Sequence, residues 1–257
     1  MSRLSRHAWT LSLLAGLLLL LLATKLIQPS FGASGLESLA RAALPFAFAT
    51  AAMAVVVIAG GIDLSVASMM AVCGVTAAVL MQAWGPAGTI PALLAVLALG
   101  LLMGAVNGAL IVLTRVPDIV VTLSMLFVWE GTALLILNAP GGAATPWLRE
   151  VILGAVMASG PLSLLPWALV VLALVLAAIW LPLRRSRLGL AIYAVGSDAT
   201  AAFRSGVAIG PTRVAAYALA GLLCAFGGLS LTLQTGIGEP IPGPYLLPAV
   251  AAVVLGG

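Results

Sequence analysis

Asp63 and Ser65 stand two residues apart, just after the pair Gly60-Gly61, in the stretch Gly-Gly-Ile-Asp-Leu-Ser-Val-Ala-Ser. A carboxylate and a hydroxyl at that spacing can meet a polar solute, or can hold the backbone at a helix start. Apolar sequence flanks them, Ala51–Ile58 before and Met69–Met81 after. A helix break between membrane-length segments frees backbone groups that lipid cannot satisfy. It is tolerated where it lines a cavity or packs inside protein. Three roles stay open for Asp63: cap of a helix beginning near Leu64, gate or solute contact, or charge partner. Asn107 precedes Gly108 in another apolar run, and Glu130 precedes Gly131 in a third. Asn107 fits a hydrogen bond across helices, though packing suits the pair better. Glu130, about 18 Å along a helix from Asp118, is expensive in hydrocarbon unless it faces water or a partner. It is read as a buried acid with a structural or interface role ahead of solute contact. Asp118 follows Pro117 at a helix start, where free N–H groups and the dipole account for it.

Other chemistry is excluded by residue type. The only histidine is His7 and the only lysine is Lys25. Zinc-protease motifs, Ser-His-Asp arrangements and a phosphate-cradling loop ending in Gly-Lys-Ser/Thr are therefore unavailable. Cys73 and Cys224, far apart in sequence, read as small buried residues. The expectation is no catalytic residue, no metal site and no cofactor bound by this chain.

The elements that position these residues follow from hydropathy. The chain is 63% hydrophobic and 7% charged, against about a quarter charged in a globular domain. Spans of about 20 apolar residues fall near Ala8–Ile27, Leu39–Ala59, Ser65–Ala83, Thr89–Leu113, Pro117–Asn138, Leu164–Leu181 and Thr212–Thr235, with an eighth beginning at Leu247. The fold class is all-α, a polytopic transmembrane helical bundle with broken helices, in a single domain over 1–257. The first segment reads as an anchor, since no small-residue cleavage site follows it. With the amino terminus in the cytoplasm, Arg3, Arg6, Arg115, Arg184, Arg185, Arg187, Arg204 and Arg213 face inward. Lys25, Arg41 and Arg149 face outward, the asymmetry expected of this orientation. The net charge of +4 is thus a topology signal, with no basic-aromatic cluster for nucleic acid. Gly100, Gly104 and Gly108, four apart, let another helix approach closely. Residues 53–61 echo 249–257, which suggests an internal repeat. A complete second repeat would run past Gly257, so a longer parent protein is expected.

The longest polar stretch, Arg184–Pro211, holds a short self-contained helix at 197–206. Asp198 or Ser197 caps its start, alanines fill it and Gly206 stops it in the left-handed region. Phe203 is left exposed beside Arg204. Such a helix suits docking into a partner's groove or lying on the lipid surface. On the outer side, Ala139–Pro146 is rich in glycine and proline, Trp147–Met157 fits a short interfacial helix, and Gly236–Pro244 forms a second loop. The two loops suit a docking platform or plain connections.

Gly-Gly-Ile-Asp-Leu-Ser at 60–65, Asn107-Gly108, the run from Arg115 to Leu123, Gly189 to Gly196, and the terminal Ala249–Gly257 together resemble the ribose-type permeases of bacterial ATP-binding-cassette importers. The likeness covers nearly all the chain from Leu39 onward. It departs at Ala67, Leu190, Ser197-Asp198 and Glu130, where the family more often carries glycine, a basic residue, Gly-Asn and arginine. The resemblance implies a permease subunit in the bacterial inner membrane for a sugar-like solute. Its implied partners are a second permease subunit, a periplasmic solute-binding protein and separate ATPase subunits that use ATP and Mg. It places ATPase coupling on the loop at 184–211, through Gly189, Tyr193, Gly196, Asp198, Ala201, Ala202, Phe203, Arg204 and Gly206. The competing class is an ion-coupled secondary transporter built on Asp63 and Glu130.

Overall fold

The structure, a computed structural model, describes residues 3–153 and 166–256, with side chains from Ala8 onward. Seven of its helices are long and apolar enough to cross a membrane. In chain order the helices are α1 (Arg3–Ile27), α2 (Ala33–Ile58), α3 (Val66–Trp84), α4 (Thr89–Thr114), α5 (Asp118–Ile136), α6 (Pro146–Leu153), α7 (Trp167–Arg185), α8 (Arg187–Ser197), α9 (Ala199–Arg204), α10 (Ile209–Thr235) and α11 (Leu246–Gly256). No strand occurs among the described residues beyond one isolated bridge, Gly141 with Gly238. The expected start of the sixth span at Leu164, and the tail of the predicted interfacial helix beyond Leu153, lie outside the described residues.

Small residues place the centre. α10 packs against α4, α2 and α3. A Cβ on Gly104 would overlap the Tyr217 carbonyl oxygen, and one on Gly221 the Gly100 carbonyl oxygen. The glycine row on α4 thus faces α10, whose own Gly221 answers it, while Gly228 of α10 faces Met70 and Gly74 of α3. Backbones this close gain dispersion contacts that lipid chains cannot match. Burial follows: 72% of the α3 span and 61% of the α10 span are inside the bundle, against none of α1 and 6% of α7. Cys73 and Cys224 are both buried as free thiols. α11 packs against α2.

α2 runs for 26 residues, about 39 Å, so the break at 59–65 lies after a complete crossing and not part-way through one. The break shares one end of the bundle with Arg115, Arg184, Arg185, Arg187, Arg204 and Arg213, termed here the basic end.

Candidate functional site

The break is shaped by its two glycines. Gly60 sits at φ +81°, where a side chain is strained. A Cβ on Gly61 would lie 2.5 Å from Asp118 Oδ2 and 2.7 Å from the Tyr217 hydroxyl. The backbone can therefore press against α5 and α10 only without a side chain there. The next carbonyl, Ile62, accepts from Thr122 Oγ1 at 3.3 Å and lies 3.3 Å from the Tyr217 hydroxyl. That hydroxyl also reaches Asp118 Oδ2 at 3.0 Å. Asp118 thus starts α5 behind Pro117 and gains a partner on α10 as well.

Asp63, Ser65 and Asn107 come together and are fully buried. Asp63 Oδ1 accepts from the Ser65 backbone N–H at 2.8 Å and from Ser65 Oγ at 2.6 Å. The helix begins at Val66 with Ser65 as its N-cap, so Asp63 holds the turn ahead of the helix and takes no N–H of its first turn. Asn107 Nδ2 donates to Ser65 Oγ at 2.7 Å. Trp129 Nε1 donates to Asn107 Oδ1 at 3.1 Å, which fixes the amide's orientation. Every donor in this relay points toward Asp63, and such chains polarise one another. Asp63 Oδ2 is buried with no partner among the described residues. Asn107 therefore bridges helices through hydrogen bonds, and Gly108 alone takes the packing role.

Glu130 does not join. It is half-exposed, on a part of α5 that faces away from Asp63, Ser65 and Asn107. One residue along an α-helix turns a side chain by about 100°, which swings Glu130 off the face that carries Trp129. Trp129 was missed from sequence. Its signal is the spacing Thr122, Met125, Trp129, an i, i+3, i+7 stripe facing α3 and α4.

At the basic end the polar stretch forms two helices, not one. α8 was unforeseen, yet Leu188, Ile192 and Val195 carry helical spacing. Ser186 Oγ accepts from the Gly189 N–H at 3.0 Å to start it. A Cβ on Gly189 would overlap the Leu183 carbonyl oxygen. One on Gly196 would overlap the Ile58 carbonyl oxygen, and Gly60 lies against Gly196. α8 is thereby seated on the end of α2, next to the break. Asp198 caps α9, accepting from the N–H groups of Thr200 at 2.8 Å and Ala201 at 3.0 Å. Gly206 ends it at φ +83°. Ala202 is buried, while Leu190, Tyr193 and Phe203 are 66%, 48% and 69% exposed. Ala201 and Arg204 are exposed beside them. Tyr193 also meets Trp180 of α7 edge-on, with ring centroids 6.3 Å apart.

At the other end, the two glycine-rich loops are joined. Gly141 and Gly238 exchange backbone bonds of 3.0 and 2.7 Å, and the Ala144 N–H donates to the Gly236 carbonyl at 2.8 Å. Burial pushes the Tyr245 phenol above its ordinary value, with Glu239 adding to the rise.

Residues 35–257 match the family described as branched-chain amino acid transport system, permease component. Over 98% of its length the chain is 32% identical to the autoinducer 2 import system permease protein LsrD of Escherichia coli strain K12, and spans 77% of that protein. LsrD proteins of Shigella flexneri, 32% identical, and Escherichia coli O157:H7, 31% identical, match over the same shares. No solved structure matches the chain. The matched residues take in the break, the relay and both helices at the basic end. The chain belongs to this family, the membrane-spanning permease components of ATP-binding-cassette import systems.

Proposed function

We propose that this chain carries a small polar, sugar-like solute inward as one of two permease subunits, with the basic end and the amino terminus in the cytoplasm. A periplasmic binding protein delivers solute to the loops joined at Gly141 and Gly238. Separate ATPase subunits, which hold ATP and Mg, dock on α8–α9 through Leu190, Tyr193, Phe203 and Arg204. The named relatives are permease proteins of autoinducer 2 import systems, which supports import as the direction of transport. The observation that carries the reading is the seat of Gly196 on the end of α2. Force on α8 reaches the break within three residues, and from Ile62, Asp63 and Ser65 it passes to α10, α5 and α4. Asp63, Ser65 and Asn107 then act as the gate, their hydrogen bonds exchanged as the spans rotate.

The test is Gly196→Val in the reconstituted complex. The side chain must displace the Ile58 carbonyl, so α8 lifts off α2 while its exposed face stays intact. Hydrolysis should continue and uptake should fall about tenfold or more, a loss of over 1.4 kcal/mol in coupling. Normal coupling in this variant would refute the seat. The orphan oxygen of Asp63 is the one feature that favours ion coupling. Uptake that survives ATP depletion but stops when proton or sodium gradients collapse would replace the importer reading.

A further inference from the structure

Two openings lie end to end on one side of the bundle, away from the basic end. The outer one, about 400 Å³, is lined by Ser38 and Arg41 of α2, Arg149 of α6 and Gln234 of α10. The inner one, about 150 Å³, is lined by apolar groups including Leu44, Phe48, Leu148, Ile152, Val175 and Phe226. They share α2, α6 and α10 as walls. Phe48 is seven residues beyond Arg41, about 10 Å deeper, and Phe226 is eight before Gln234, about 12 Å deeper. One polar group, Ser230, borders the inner crevice, and its hydroxyl is spent on the Gly227 carbonyl at 2.7 Å. The crevice also borders α7, which the bundle scarcely buries.

The two arginines are held but not used up. Arg149 donates Nε to the Leu233 carbonyl at 2.7 Å and Nη2 to the Gln234 carbonyl at 3.2 Å. Those partners are neutral, so its charge remains uncancelled. Arg41 pairs with Glu37 through Nη2, and Gln234 donates to the Arg41 carbonyl. Arg41 Nε is buried with no partner among the described residues. An unmatched buried guanidinium N–H is costly, and a phosphate oxygen is the acceptor its geometry suits best. An anion-binding mouth continuous with a dry apolar slot has the polarity profile of one lipid molecule.

We infer that this side of the bundle is a binding site for a single anionic phospholipid, its phosphate between Arg41 and Arg149 and one acyl chain in the crevice between α2, α7 and α10. The inference does not rest on which solute the chain carries.

The experiment uses the purified full chain in detergent, read by native mass spectrometry and thermal unfolding. The probes are phosphatidylglycerol, phosphatidylcholine and soluble glycerol 3-phosphate. One phosphatidylglycerol should stay bound and raise the unfolding midpoint, with the other two probes much weaker. Arg41→Gln should weaken phosphatidylglycerol about tenfold, the loss expected of a charge-assisted hydrogen bond. Val175→Trp keeps both arginines but fills the crevice, and should weaken it comparably. Equal retention of phosphatidylcholine would overturn the inference, as would both variants binding like the parent chain. Glycerol 3-phosphate binding as tightly as the lipid would make the mouth a free-anion site and overturn it too.

Discussion

Within the relay of Asp63, Ser65, Asn107 and Trp129, the two ends can be tested singly. Trp129→Phe keeps the ring but removes the N–H that satisfies Asn107 Oδ1. Leaving that buried oxygen unpaired should cost about 1–3 kcal/mol, seen as a lower unfolding midpoint in detergent. Asp63→Asn retains an acceptor for the Ser65 N–H while replacing the orphan oxygen by an amide. Its midpoint should therefore stay close to that of the parent. If the ionised carboxylate serves the gate, uptake in the assembled importer should collapse all the same. Stability lost with uptake retained would make Asp63 a turn-former and nothing more. Asp63, Ser65 and Asn107 were legible because polar residues inside apolar runs must be satisfied. Trp129 was not, since an indole in a span reads equally well as packing or as an interfacial anchor. The separation of Glu130 from these three was not legible, because depth along a helix says nothing about which way the side chain turns.

Helix against helix, the contact of α4 with α10 depends on the absence of side chains. Gly104→Ala would push a methyl group into the Tyr217 backbone, and overpacking of this kind costs about 1–3 kcal/mol. Gly131, on α5, has open space around its Cα, so Gly131→Ala should leave the unfolding midpoint unchanged or higher. Equal effects from the two substitutions would refute the close approach. The spans themselves were readable to within a few residues, because 20 apolar residues have few alternatives in a membrane. The glycine row announced a close neighbour without identifying it: proximity between α4 and α10, a hundred residues apart, is set by tertiary packing. α8 escaped notice for a different reason. Its apolar stripe, Leu188, Ile192 and Val195, is short and lies within the longest polar stretch of the chain.

Across the whole molecule, the arginine asymmetry predicts an orientation that labelling can check. Cys73 and Cys224 are buried, so they should stay silent toward a membrane-impermeant thiol reagent. Ser197→Cys, at the end of α8, should react only from the cytoplasmic face, and Ala139→Cys only from outside. The opposite result would invert the proposed mechanism, because α8–α9 could not then meet an ATPase. The central place of α10 bears on how such a protein is made. Translation delivers α2 to α5 well before residue 209 leaves the ribosome, so the glycine row of α4 and Gly74 of α3 must wait for the helix they face. Until the late-arriving keystone docks, those glycine faces have no partner, and a stall in synthesis ahead of it would offer quality-control proteases an unfinished target.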